Sequence, residues 1–342
     1  MNHEGIKPID PELKRIFSLF FDGEPVSLDL IDSSRGEADF RNTCIIGAGD
    51  GGKVVLKLAS NDFTFPEKIR VWARTVGEYL ALGYYCPRII ADKSGGFPIV
   101  RFRDRDCVAY AEEFAKYLPY DDGSSFEETG RLKDRSRYEA DIWAMTAKIA
   151  AKKLDYTEYP SAYCLFETFC PSDETDEVLE NALEWKKTAD ALPAEFAPRV
   201  RRIWELWRDN RDALEKTYAS LPTSVFQADL NPTNLLIDGE GRFMGVYDFN
   251  LCGRDVFLNY LIRETYGVDG ICAALRTARE YYTFSEEEKA AALPLYRCLV
   301  PLWWDAISDL KKAGTDPEAV RACLDRAEKR LTEDIDFRSS ME

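Results

Sequence analysis

The chain has 342 residues, 45% hydrophobic and 31% charged, which suits one large domain or two unequal lobes around a real core and excludes a disordered chain. A formal net charge of -16 with no long basic run argues against a nucleic-acid binder, which needs a basic face to meet phosphates, and favours a cationic small substrate if it favours any. Nine cysteines without a CxxC pair, and His3 as the single histidine, exclude zinc sites built on several histidines and any Ser-His-Asp or Cys-His machinery.

The first ten residues are polar and show no targeting segment, and no run of eighteen apolar residues marks a membrane span. With the scattered thiols, this predicts a cytoplasmic protein without a membrane partner. Residues 11–21 predict a short helix with Leu13, Ile16, Phe17, Phe20 and Phe21 on its apolar side, and residues 26–31 a strand. A polar loop covers 32–39. Residues 40–46 and 54–58 predict paired strands around Gly47-Ala48-Gly49-Asp50-Gly51-Gly52. That run lacks a following Gly-Lys-Ser/Thr and a helix, so it predicts a hairpin turn, not a nucleotide-gripping P-loop. Residues 66–82 form a helix that exits at Gly83 and Pro87. A further hairpin, 97–102 with 107–112, turns at the charged residues 103–106.

The pattern then changes. Residues 121–130 are polar and loose. Helices are expected over 134–154, over 173–192 behind an acidic opening, and over 195–218. Val200, Ile203, Trp204, Trp207, Leu214 and Tyr218 make the stripe of the last, with both tryptophans expected in the core. Short strands follow at 225–226, 235–237 and 243–247. From Val256 the chain is helical again, with Trp303 and Trp304 expected to pack. This layout predicts an α+β, bilobal fold. A small antiparallel-sheet N-lobe with its hinge spans 1–116, and a large, mainly helical C-lobe spans 117–342 and carries a strand-and-turn island at 225–255.

The island holds the chemistry. Residues 226–237 read Phe-Gln-Ala-Asp-Leu-Asn-Pro-Thr-Asn-Leu-Leu-Ile, and 245–250 read Gly-Val-Tyr-Asp-Phe-Asn. Asp229, Asn234 five positions on, and Asp248 fourteen beyond are separated by apolar strands that can bring three oxygen-bearing side chains together. Phosphoryl transfer uses such groups: one carboxylate to orient a hydroxyl and take its proton, another with an amide to hold magnesium against phosphate oxygens. It also needs a cation. Lys57, inside Val-Val-Leu-Lys-Leu-Ala, is either an edge-strand gatekeeper or a cleft-facing charge.

These segments resemble the catalytic and metal loops of the aminoglycoside phosphotransferase and choline kinase-like family, a branch of the protein-kinase-like fold. That family has an HGD-type loop with an asparagine five residues after the aspartate, then a strand ending in Asp-Phe. The resemblance implies that Asp229 is the catalytic base, that Asn234 and Asp248 are ligands for magnesium, and that Lys57 pairs the phosphates of ATP or GTP. It places residues 110–115 at a hinge that meets the base, with Glu112 and Phe114 among the nucleotide contacts. Ser34 and Gly36 of the loop Ser33-Ser34-Arg35-Gly36 could cover phosphates, or that loop is a plain connection. An acid on the small-lobe helix would pair with Lys57; Glu78 is the candidate taken, Glu67 stays open, and Trp72 stands where counting back from Gly83 would put it.

Several positions depart from the family pattern. Gln227 and Ala228 replace its histidine and glycine, Asn231 stands at a second histidine, and Asn259 falls near an aspartate that braces the lobe. The reading is magnesium-dependent transfer of a terminal phosphoryl group to a hydroxyl of a small molecule, with no nucleic-acid partner. Glu167, Asp173, Glu174, Asp176, Glu177 and Glu180 could meet amines of such an acceptor or simply form a solvated helix start. The alternative is a catalytically silent kinase-like domain that binds a nucleotide or a protein.

Overall fold

Asp10 and Pro11 open the first helix: the Asp10 carboxylate accepts the Glu12 N–H at 2.8 Å, and proline suits a position whose own N–H has no partner. In this computed structural model residues 9–49, 51–265 and 267–342 are described, with the backbone of His3 and Glu4. Asp50, in the predicted hairpin turn, lies outside the described residues, as do the side chain of His3 and most of the first eight residues.

In chain order the elements begin with β1 (His3–Glu4), α1 (Pro11–Phe20), β2 (Pro25–Asp32), β3 (Phe40–Ala48), β4 (Lys53–Ser60) and α2 (Pro66–Ala81). There follow β5 (Ile89–Ile90), β6 (Ile99–Phe102), β7 (Arg105–Glu113), β8 (Leu118–Pro119), α3 (Ser124–Thr129), α4 (Glu139–Ala151), α5 (Glu177–Asp190) and α6 (Ala197–Tyr218). Next come β9 (Thr223–Phe226), β10 (Leu235–Ile237), β11 (Phe243–Val246), β12 (Gly253–Val256) and α7 (Phe257–Arg263). The chain closes with α8 (Val268–Ala278), α9 (Glu286–Leu299), α10 (Trp304–Ala313), α11 (Pro317–Thr332) and α12 (Arg338–Met341).

These elements form two units. The first takes residues 1–135, 170–172 and 229–252, so the stretch from Asp229 to Cys252 belongs with the sheet. Its sheet is antiparallel throughout, in the order β1-β2-β3-β4-β7-β5, with β6 on β7. Alternation along β4 sends Leu56 and Leu58 to one face, where they meet Leu13, Ile16, Phe17 and Phe20 of α1 with Phe40, Cys44, Ile46 and Phe102. Full burial of each such side chain contributes roughly 1.5–3 kcal/mol, so this cluster fixes the register of the strands. The opposite face of β4 carries Lys57.

The β3–β4 connection is the hairpin turn expected, with Ala48 N–H donating to Gly52 at 2.8 Å. The β6–β7 turn has Arg103 and Asp104 at φ 47° and 62°, the twist a two-residue hairpin loop requires, here without a glycine. Helix α2 ends in a Schellman arrangement: Tyr84 N–H donates to Tyr79 O at 3.1 Å and Gly83 N–H to Leu80 O at 2.9 Å, with Gly83 at φ +87°.

The second unit takes residues 136–169, 173–228 and 253–342. It packs α4–α12 with the two-stranded pair β9 and β12. Its interior holds a buried ion pair, Arg211 with Asp176; Asp176 also caps α5 by accepting the Leu179 N–H at 3.0 Å. A second buried acid, Asp255, accepts from Ser161 at 2.8 Å and from Asn259 at 2.8 Å. A sheet-rich unit and a larger helical one make the α+β, bilobal class expected, consistent with a protein-kinase-like architecture.

Three local expectations differ. Residues 121–130 are not merely loose: α3 forms there between Gly123 and Gly130, both at positive φ, although it buries none of its residues. Strand β12 was not foreseen, because four residues beside a turn carry little alternation; tertiary pairing with β9 makes it a strand. Trp304 does not pack: it begins α10 and is 55% exposed, since the chain breaks between α9 and α10 within the apolar run.

Candidate active site

The loop after β9 is short and tightly tied. Asn231 caps the 3-10 turn Pro232–Asn234, its side-chain oxygen accepting the Thr233 N–H at 3.0 Å and the Thr233 hydroxyl. That fixes the Asn231 amide, whose nitrogen donates to Asp229 Oδ1 at 2.7 Å. The Asn234 amide nitrogen donates to the Asp229 carbonyl at 2.9 Å, which leaves its Oδ1 as the atom a cation would use. Arg135 donates to the Leu230 carbonyl. In the helical unit, Tyr260 donates to the carbonyl of Gln227 at 2.7 Å and Arg263 to that of Ala228 at 2.8 Å. The residues that replace the family's histidine and glycine are thus held by their backbone.

Asp248 arrives on the β10–β11 hairpin. Tyr247 N–H donates to Asn234 O at 3.2 Å, placing the end of β11 beside the 3-10 turn. Tyr85, just past α2, exchanges backbone bonds with this hairpin: its N–H donates to Met244 O at 2.8 Å and its carbonyl accepts from Val246 at 3.1 Å. Gly245 permits this approach, because a Cβ there would lie 1.9 Å from Tyr85 O. Asp248 itself has φ 60°, a left-handed conformation that costs a non-glycine residue on the order of 1–3 kcal/mol. Phe249, edge-on to Tyr79 at 5.4 Å, and Cys252, donating to Thr75 Oγ1 at 3.4 Å, hold the segment that follows.

Lys57 meets this aspartate from the sheet, with Nζ 3.4 Å from Asp248 Oδ1 and 3.1 Å from Glu112 Oε1. The register explains both the lysine and its partner. Thr43, Lys57 and Tyr110 lie opposite one another on β3, β4 and β7, and Glu112 lies two residues along from Tyr110 on the same face. Burial disfavours the ammonium, but the charges of Asp248 and Glu112 outweigh it and raise the Lys57 pKa well above its ordinary value. Burial pushes the Glu112 carboxyl up, with Lys57 pulling it back.

A cavity of about 390 Å³ joins these groups, within the ~300–1,000 Å³ typical of small-molecule sites. Lys57, Tyr110, Asp229, Asn231, Asn234 and Asp248 line it, together with Ser33, Arg35, Arg41 and Phe63. Four predicted residues, Asp229, Asn234, Asp248 and Lys57, therefore share one cavity. Ser34, Gly36, Glu78, Glu112 and Phe114 do not line it. Ser34 Oγ instead accepts the Arg41 N–H at 2.9 Å, and Phe114 is 42% exposed with the Lys53 ammonium 5.2 Å from its ring.

The carboxylates on Lys57 come from β7 and the segment after β11, not from α2: Glu67 is exposed and pairs with Arg70 at 3.7 Å, while Glu78 is half-buried outside the cavity. Trp72 is buried edge-on to Tyr110 at 6.0 Å. Asn231, Arg35 and Arg41 were not read as site residues. The Asn231-Pro232 pair is a turn signal that could have pointed to the first, and strand alternation puts Arg41 on the face of Lys57. In the helical unit the acidic residues are partly structural: Glu167 is clamped by Arg254 at 2.7 Å and Asp176 by Arg211.

The donor set of one carboxylate and one amide oxygen suits a hard cation that keeps water and phosphate as its other ligands. Among the described residues no group of three or more His, Cys, Asp or Glu offers a cage for a softer metal. Among them, too, no helix is long and apolar enough to cross a membrane.

The phosphotransferase enzyme family, APH, matches residues 34–259. No curated protein matches the chain. Among solved structures, the microcompartment-associated aminopropanol kinase aligns over 93% of this chain and 94% of its own, at 14% identity and TM-score 0.53. The amicoumacin kinase hAmiN, in complex with AMP-PNP, Ca2+ and Ami, aligns over 97% of both chains, at 12% identity and TM-score 0.50. At such identities these likenesses speak to the fold.

Proposed function

Since the chain belongs to the phosphotransferase enzyme family, we propose that it transfers the terminal phosphoryl group of ATP or GTP to a hydroxyl of a small molecule, with magnesium. The observation that carries this reading is the single cavity lined by Lys57, Asp229, Asn234 and Asp248. Asp229 orients the acceptor hydroxyl and takes its proton, with Asn231 donating to one of its carboxylate oxygens. Lys57 fixes the nucleotide phosphates. Asn234 and Asp248 hold magnesium, which when bound offsets the charge on the phosphate oxygens. Ser34 and Gly36 of the β2–β3 loop, the segment around Glu112 and Phe114, and Glu78 remain nucleotide-contact candidates.

For the acceptor we propose an amine-bearing alcohol. The net charge of -16 supports a cationic ligand, and two proteins of like fold are described as kinases of aminopropanol and amicoumacin. A nucleotide analogue with a divalent ion in the second of these supports the donor and the metal.

The test is ADP formation with magnesium across a library of small alcohols. Asp229→Asn is expected to lower turnover about 10²- to 10⁴-fold while nucleotide affinity stays within about 2-fold. Unchanged turnover in that variant removes the mechanism. Magnesium-dependent nucleotide binding without transfer to any alcohol would favour the silent domain instead.

A further inference from the structure

The leading N–H groups of the β2–β3 loop are already used within the hairpin, which leaves only part of the loop for a backbone cradle. Ser33 N–H donates to Arg41 O at 3.0 Å, Ser34 N–H to Asp32 Oδ1 at 3.0 Å, and Arg35 N–H to Asp39 O at 2.8 Å. Nor does Lys57 bring spare charge. It sits in ion pairs with Glu112 and Asp248, so those three groups sum to one negative charge, and Asp229 lines the same cavity. Magnesium on Asn234 and Asp248 would offset part of a polyphosphate's charge there, and the rest is left to other cations that face it.

Two do. Arg35 and Arg41 line the cavity with Lys57. Arg41 pairs with Ala59 across β3 and β4, two residues along from the Thr43–Lys57 pair, and therefore projects from the sheet face that carries Lys57. Its guanidinium is anchored on one side only. Nη2 meets Asp39 Oδ2 at 2.7 Å, and the Phe63 ring lies 5.7 Å away. Asp39 is fixed in turn by Asn61, which donates to it at 3.0 Å and whose own oxygen accepts the Thr64 N–H at 2.8 Å. Nε of Arg41 is buried without a hydrogen-bond partner, and no partner is found for Nη1 among the described residues. Arg35 is exposed, and its guanidinium has no partner among the described residues either.

We propose that Arg41, with Arg35 as an outer second cation, binds the outer phosphates of the nucleotide opposite Lys57, so that arginine side chains of the β2–β3 hairpin replace a glycine-rich backbone cradle. The inference rests on the nucleotide reading above. A guanidinium held through Nη2 by Asp39 keeps the N–H groups of Nη1 as charged donors for phosphate oxygens. The grip then reads the number of phosphates and ignores the base.

Affinity for ATP, ADP and adenosine, measured by calorimetry in magnesium with each variant checked for a cooperative melt, tests this. Arg41→Met is expected to weaken ATP about 10- to 100-fold, the loss of hydrogen bonds to a charged group, while adenosine changes less than about 2-fold. Arg41→Lys should recover part of the loss, and Arg35→Gln should cost ATP about 3-fold with a shallower salt dependence. If Arg41→Met does not fold, Arg41→Gln carries the same expectation with the shape kept. ATP affinity unchanged in the Arg41 variants, or lost in equal measure with adenosine, overturns the proposal. A wild-type chain that binds ATP beside such variants leaves the phosphotransfer reading standing; a wild-type chain that binds no nucleotide overturns both.

Discussion

Two charged clusters, one in each unit, use the same chemical groups to opposite ends. In the helical unit Arg211 and Asp176 are both buried, and every group around them is engaged: Asp176 accepts from Phe166 N–H at 3.0 Å and Leu179 N–H at 3.0 Å, and the guanidinium lies 4.3 Å from the Phe166 ring. In the sheet unit the Lys57–Asp248 contact is longer, at 3.4 Å, and the Asp248 side chain stays 34% exposed on a strained backbone. A saturated pair holds structure. Both pairs border a cavity, so what differs is that a loose, part-exposed pair on a strained residue is one whose partners can be exchanged for a ligand.

That contrast can be broken by measurement. Arg211→Met strands a buried carboxylate and is expected to cost about 3–5 kcal/mol in urea unfolding. Gly245→Ala comes next: the clash with Tyr85 must open the joint between β11 and the α2 exit, at an expected cost of about 2–3 kcal/mol. Asp248→Gly should go the other way. Glycine adopts the left-handed backbone freely, so stability should hold or rise by up to about 1 kcal/mol while phosphoryl transfer is lost. A fall of more than about 2 kcal/mol there would make Asp248 structural and erase the contrast.

The smallest effect is one of pH. Burial raises the Asp255 carboxyl pKa above its ordinary value despite the donors around it. The folded state then holds this proton more tightly than the unfolded chain does. The group's stabilisation is complete below the unfolded pKa and is lost as pH rises through the folded one. Hydrogen exchange of β9 and β12 should therefore quicken with pH over that window beyond its intrinsic pH dependence, and Asp255→Asn should flatten this extra slope.

Much of the fold was legible because it is written at short range. The apolar spacing of α1, the turn residues between β3 and β4, and the Gly83 exit of α2 each depend on a few neighbouring residues. Asp229, Asn234 and Asp248 were readable for the same reason: one loop and one hairpin fix their separation. Elements with too few residues to show a period, such as β8 and β12, were not readable, and Trp304 looked like core because hydrophobicity does not say where a helix breaks.

What the sequence by itself determined, then, is the class of fold and the chemistry-bearing residues of one short region. Only the tertiary structure decided who faces them. Glu112 rather than an acid of α2 reaches Lys57, because strand register, set by the packed side of the sheet, chooses the neighbours on its open side. The same register delivers Arg41 to the cavity, through contacts between residues far apart in the chain that no local pattern encodes.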